Sequence, residues 1–162
     1  MHLRTPGIRR RTRAGRRRGF TLIELLLAIV VVGTLATLAI SSYSSYMDQV
    51  RVSQAEQDLT SIEARIELYE VNYHALPTSL DQVGEGSLLD PWGHPYHYLD
   101  FTGLQGTGAM RKDRNLVPIN SDYDLYSAGK DGETLPPILA PVSLDDVIRA
   151  NNGGYVGLAS DY

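Results

Sequence analysis

Nineteen residues, Leu22 to Ile40, form an apolar run broken only by Glu24, Gly33, Thr34 and Thr37. At ~1.5 Å of rise per residue, a helix of that length reaches ~28 Å, close to the ~30 Å hydrocarbon core of a bilayer. An ordinary secretory signal carries an apolar region of about 7–15 residues and then a small-residue cleavage site. Here the run is longer, and the candidate cleavage point lies before it. The pattern then changes. Neither Gly nor Pro occurs from Ser41 to His74, and Val52, Ala55, Leu59, Ile62, Ile66, Tyr69 and Tyr73 recur at alternating steps of three and four. That spacing draws one apolar stripe on a helix, with Asp58, Glu63, Glu67 and Glu70 mostly off it. The stripe packs on the protein's own sheet or, being heptad-spaced, on a partner helix. Pro77 restricts Leu76 and cannot continue the pattern, so one helix is predicted from near Phe20 to near Tyr73.

Beyond Pro77, short alternating segments replace helical periodicity. Ser79 to Val83 reads as a single helical turn. In Asp90-Pro91-Trp92-Gly93-His94-Pro95, Pro91 and Gly93 set a tight turn and Pro95 starts a strand. Tyr96 and Tyr98 then share one face of that strand, with His97 and Leu99 on the other. Tyr123 to Ser127 reads as a second strand, ending at Ala128-Gly129-Lys130-Asp131-Gly132, and Tyr155 to Leu158 as a third. Thr102 to Asn120, glycine-rich and charged, reads as a hairpin loop. Together these elements predict an α+β fold: a long N-terminal helix, one half membrane-spanning and the other amphipathic, packed on a small antiparallel sheet. The chain then divides into a basic leader (1–19), the transmembrane half of the helix (20–41) and a head (42–162) that includes the rest of the helix.

Charge adds direction. The formal net charge of −4 hides a sharp asymmetry. Eight arginines precede Phe20 with no acid among them, whereas 7 basic and 19 acidic residues follow, a balance of −12. An acidic body of that kind would be repelled by nucleic-acid phosphates. The basic tip reads either as an RNA-binding tail or as a cytoplasmic topogenic segment, and its place directly before an apolar run favours the second. The arginines then lie in the cytoplasm and the acidic head outside. There are no cysteines, so no disulfide staples the head, and a metal ion is one candidate for that task.

Glu24 is the exception in the apolar run. A charge at the centre of a membrane helix costs ~2.5–3.5 kcal/mol on translocon scales. In the first helical turn the cost is smaller, and the helix dipole returns about 0.3–1 kcal/mol. Glu24 is therefore either an interfacial residue that reaches for water or the partner of a buried cation. A cut after Gly19 would supply such a cation, the new α-amino group of Phe20. Pairing within one chain is also open, because Phe20 and Glu24 are i,i+4 neighbours.

The run Arg18-Gly19-Phe20-Thr21-Leu22-Ile23-Glu24-Leu25-Leu26 resembles the signal of type IV prepilins and type II secretion pseudopilins, and implies a pilin-like fold. The resemblance implies cleavage between Gly19 and Phe20 by a prepilin peptidase and N-methylation of Phe20. It also implies that Glu24 neutralises the Phe20 amine of a neighbouring subunit during assembly. Two head blocks, Asp90 to Tyr98 and Tyr123 to Gly132, are similar to those of the G-type, or major, pseudopilin. Departures are Ser41, where many pilins have a kinking proline, and Leu76, where the family has tyrosine before Pro77. A straighter helix near residue 41 is the expectation.

His94 and His97 face opposite sides of a strand, which disfavours joint zinc coordination. Asp122-x-Asp124 with Glu133 has a superficial calcium-loop spacing, but Tyr126 and Ser127 occupy positions that need a ligand and a glycine. In G-type pseudopilins a calcium ion ties the loop after the Ser-x-Gly-x-Asp-Gly strand to acids downstream. By resemblance Asp131 is the first ligand, and Asp145 and Asp146 the second group; the alternative is that these acids are simply solvated. No nucleophile motif or phosphate loop occurs, so no enzyme is expected.

The reading that results is a structural subunit of a type II secretion pseudopilus. It would sit in the bacterial inner membrane as a single-pass protein with its head in the periplasm, and polymerise with itself. Minor pseudopilins, the prepilin peptidase and the inner-membrane secretion platform are the implied partners. A type IV pilus subunit for adhesion, motility or DNA uptake is the alternative, and a membrane-anchored ligand-binding protein a third reading.

Overall fold

The computed structural model describes residues 19–114 and 116–162. All of the expected leader except Gly19 thus lies outside the described residues. The helix α1 spans Leu22–Tyr73, 52 residues, and Ser41 lies within it. It stops as the sequence predicts: His74 takes a left-handed φ of 56°, and its N–H closes on the Glu70 carbonyl at 2.7 Å. Two compact units make up the chain, one ending at Ser42 and the other spanning Tyr43–Tyr162.

In the first unit the large apolar side chains, among them Phe20, Leu22, Ile23, Val30 and Leu35, are exposed. This part of the helix is long and apolar enough to cross a membrane. Thr34 and Thr37 do not spoil that surface. Their hydroxyls donate back to the carbonyls of Val31 (2.9 Å) and Gly33 (3.0 Å), so neither presents an unmet donor to lipid.

The second unit holds the sheet. Strands β1 (His97–Asp100), β4 (Tyr123–Ser127), β5 (Val147–Ala150) and β6 (Tyr155–Leu158) pair antiparallel in the order β1-β4-β5-β6. Ala55, Leu59, Ile62 and Ile66 of α1 are buried against Tyr96, Tyr123, Leu125 and Val147. The stripe therefore packs on the protein's own sheet, and this decides between the two readings of its heptad spacing. Its last two positions differ from expectation: Tyr69 is half-buried and Tyr73 is 68 % exposed, their rings 4.4 Å apart. A tyrosine has a polar end that tolerates this wet border.

The opposite face of the sheet is covered too. Ile148 and Ala150 pack with Ile119, Ile138 and Ala159, and Tyr126 and Tyr155 close the cluster. Its cover comes partly from the stretch expected to be a hairpin loop, which itself holds the short hairpin of β2 (Lys112–Asp113) and β3 (Val117–Pro118). Leu135 to Leu139 runs beside it: Lys112 N–H donates to the Pro136 carbonyl (2.9 Å) and Ile138 N–H to the Lys112 carbonyl (3.0 Å). The Ser79 to Val83 turn is a 3-10 turn over Leu80–Val83.

Candidate functional site

The N-terminus of α1 is built by two side chains. The Thr21 N–H and hydroxyl both donate to Glu24 Oε2 at 2.9 Å, and the Glu24 N–H donates to Thr21 Oγ1 at 3.3 Å. This is a reciprocal cap: the threonine accepts from the third helical residue, whose carboxylate reaches back. Such caps contribute about 1 kcal/mol. Glu24 therefore does more than sit near the helix dipole. Its carboxylate is parked on Thr21, one residue from Phe20, and Phe20 itself is 81 % exposed. Thr21 was not singled out from sequence, although Thr-x-x-Glu before an apolar run is the signature that would have found it.

In the head, the two blocks singled out from sequence lock together. Asp90 Oδ1 accepts the N–H groups of Trp92 (3.0 Å) and His94 (2.8 Å), while its other oxygen accepts the Ser127 hydroxyl. Ser127 Oγ in turn accepts the Gly129 N–H at 3.1 Å, and His94 Nδ1 lies 3.1 Å from the Gly129 carbonyl. Asp90 is 5 % exposed, so its charge serves the turn rather than solvent. Gly129, at φ +67°, could not be replaced: a Cβ there would stand 2.4 Å from the Asp145 carbonyl oxygen.

The three acids expected to hold calcium occupy different environments. Asp131 is exposed, and its Oδ1 accepts the Glu133 N–H at 2.8 Å. Asp145 Oδ2 accepts two backbone N–H groups, from Lys130 at 2.8 Å and Asp131 at 3.2 Å. Asp146 is fully buried; its Oδ2 takes a very short ion pair from Arg111 and the Thr134 hydroxyl at 2.8 Å. Burial pushes the Asp146 carboxyl up to about 6 against the pull of Arg111, which leaves it ionised at neutral pH. Among the described residues, no three His, Cys, Asp or Glu side chains gather as a metal-binding group. As placed, these residues do not fit a calcium ion.

Neither Arg111 nor Arg149 was picked out from sequence, yet both organise the head. Arg149, 4 % exposed, leaves β5 to meet Glu63 of α1 at 2.6 Å and Asp122 at 2.8 and 2.9 Å, with its guanidinium carbon 4.0 Å from the Tyr123 ring centroid. Asp124 is buried and accepts the Arg111 N–H (2.6 Å) and the Asn120 amide (3.1 Å). The pair of acids with an apparent calcium spacing is thus spent on arginine and backbone.

His97 sits against Tyr126, rings stacked at 4.8 Å, and Arg111 lies 4.4 Å from the same ring. Burial, with the Arg111 charge beside it, lowers the His97 imidazole below its usual range. As pH falls, the unfolded chain takes up this proton first. The stability that neutral His97 contributes is complete above pH ~6.5 and is lost as pH drops through the folded value. His97→Phe keeps the stack and removes the proton. Followed by the fluorescence of Trp92, the only tryptophan, the variant should lose less melting temperature than wild type between about pH 7.5 and pH 5.

Residues 15–40 match the family described as "Prokaryotic N-terminal methylation motif". The type II secretion system core protein G of Pseudomonas aeruginosa is 30% identical over 138 residues, covering 71% of this chain and 84% of that protein. The proteins of that name from Escherichia coli K12 (29% over 123 residues, covering 73% of this chain and 85% of that protein) and Klebsiella pneumoniae (29% over 136 residues, covering 82% and 93%) are similar as well. No solved structure matches. The reciprocal Thr21–Glu24 cap beside Phe20, the helix on a four-stranded antiparallel sheet and the extent of these matches agree: the chain belongs to the type II secretion system core protein G family.

Proposed function

We propose that the chain is a structural subunit of a type II secretion pseudopilus. It waits in the inner membrane on the apolar part of α1, with its arginines in the cytoplasm and its head in the periplasm. A prepilin peptidase cuts between Gly19 and Phe20, Phe20 is N-methylated, and subunits then polymerise with one another, joined by minor pseudopilins on the inner-membrane platform. The observation that carries this reading is Glu24. A carboxylate held at the start of an otherwise apolar, exposed helix stands beside the residue whose amine the cut would free.

The chemistry is assembly, not turnover. In a dry bundle of apolar helices, an unpaired carboxylate or ammonium is costly, while the two together offset one another. A subunit that enters one step out of register leaves both unpaired, so the pair selects register. The reciprocal cap keeps Glu24 occupied until an incoming amine competes for it.

Deleting the gene and restoring it from a plasmid tests the proposal. Secreted proteins should accumulate in the periplasm without the chain and reach the medium when it is restored. Unimpaired secretion together with lost surface fibres or DNA uptake would contradict it and favour a type IV pilus subunit.

A further inference from the structure

Arg111 is 2 % exposed, and its guanidinium spreads over three acceptors of different kinds. Nη1 donates to the Thr134 hydroxyl, in a very short bond, and to the Leu135 carbonyl at 2.8 Å; Nη2 donates to Asp146. A hydroxyl, a carbonyl and a carboxylate are the hard oxygens that calcium takes when it binds a protein loop. They also join the two segments that the resemblance connects through calcium, the loop after β4 and the acids before β5. We propose that in this chain the Arg111 guanidinium is the cation that staples this loop, in place of a metal ion.

The backbone fixes Arg111 for the task. Its N–H donates to Asp124 and its carbonyl accepts the Ile119 N–H at 3.0 Å, so the side chain leaves from a held position. A guanidinium stays charged at any relevant pH and matches planar oxygen donors through its fork. Calcium needs 6–8 oxygens at about 2.3–2.6 Å. Asp131 and Asp145 already accept backbone N–H groups on one oxygen each, and Asp146 Oδ2 is taken by Arg111 and Thr134. Asp146 Oδ1 is the one buried carboxylate oxygen of this group without a protein donor. Each acid thus keeps one oxygen, three against the about 6–8 that calcium takes, and that of Asp146 lies next to a fixed positive charge.

The full-length chain in detergent, stripped of metal, is titrated calorimetrically with calcium chloride to about 1 mM, the range of extracellular calcium modules. The expected result is no saturable heat, and a Trp92-monitored melting temperature that agrees within about 1 °C in calcium and in excess EGTA. Saturable binding, or a melting temperature several degrees higher in calcium, overturns the proposal. Arg111→Gln should melt several degrees below wild type, and equal melting overturns the proposal as well. Should that variant not fold, Arg111→Lys keeps the charge without the fork and is expected to melt between wild type and the unfolded case. A lysine variant as stable as wild type contradicts the staple.

Discussion

Replacing Glu24 by alanine leaves the chain in the membrane and removes it from filaments. Insertion should not suffer, because the substitution deletes the only charge in an apolar run, worth up to ~2.5–3.5 kcal/mol at mid-membrane and less at this edge. The lost cap with Thr21 costs about 1 kcal/mol, and the 52-residue helix has the rest of its length to hold it. What disappears is the anion that would meet an incoming Phe20 amine. Carbonate-resistant membrane protein should therefore match wild type, while the sheared filament fraction falls below detection. Glu24→Gln separates cap from charge, since glutamine can still receive the Thr21 N–H. Both variants should fail to assemble. Filaments from the glutamine variant would mean that the cap, and not the charge, is what assembly uses.

The second large effect lies in the head. Arg149→Met keeps an unbranched stem and withdraws the charge from Glu63 and Asp122. Removing one partner of a buried ion pair costs about 3–5 kcal/mol, and because Glu63 and Asp122 keep 12 % and 32 % of their side chains exposed, the lower end, about 3 kcal/mol, is expected here. Glu63 lies in α1 and Asp122 precedes β4, so this one side chain ties the helix to two parts of the sheet. For a unit the size of Tyr43–Tyr162, that loss corresponds to a melting temperature lower by about 10 °C. Arg149→Lys should recover only part of it, as one ammonium cannot serve both carboxylates and the Tyr123 ring. A drop for Arg149→Met of under about 3 °C would show that solvent compensates these acids.

The sequence made some of this molecule plain and concealed the rest for physical reasons. The helix was legible from end to end because each force acting on it leaves a periodic trace: apolar residues on every side where lipid is the solvent, one stripe where a sheet is. β1 and β4 were legible on other ground, as tyrosine-rich segments beside turn signals, Pro95 before the first and Gly129 after the second. β5 was not. Its four residues are all buried, so Val147-Ile148-Arg149-Ala150 shows no alternation, and its arginine looks out of place until Glu63 and Asp122 are beside it. The turn that follows did hold a signal. Asn151, Asn152 and Gly153 all take positive φ, and Asn-Gly between two short runs is the usual mark of a hairpin.

The site divides in the same way. Gly19, Phe20 and Glu24 were found because a carboxylate inside an apolar run is costly and so demands a reason. The side-chain partners of Asp122 and Asp146 come from residues 12 to 35 positions away along the chain, and Asp124 is held by Asn120 and the Arg111 backbone N–H, so no spacing rule reaches them. For that reason the acids before β5 read as open ligands in sequence, whereas in the folded head a distant arginine has already claimed one of them.

A cut after Gly19 would free an amine for Glu24 to meet. Intact mass spectrometry of the chain recovered from native membranes would reveal that cut. A mature species that begins at Phe20 and carries one added methyl group is expected, with the unprocessed form accumulating when the peptidase is removed. A chain that keeps residues 1–19 while the secretion system is working would contradict it.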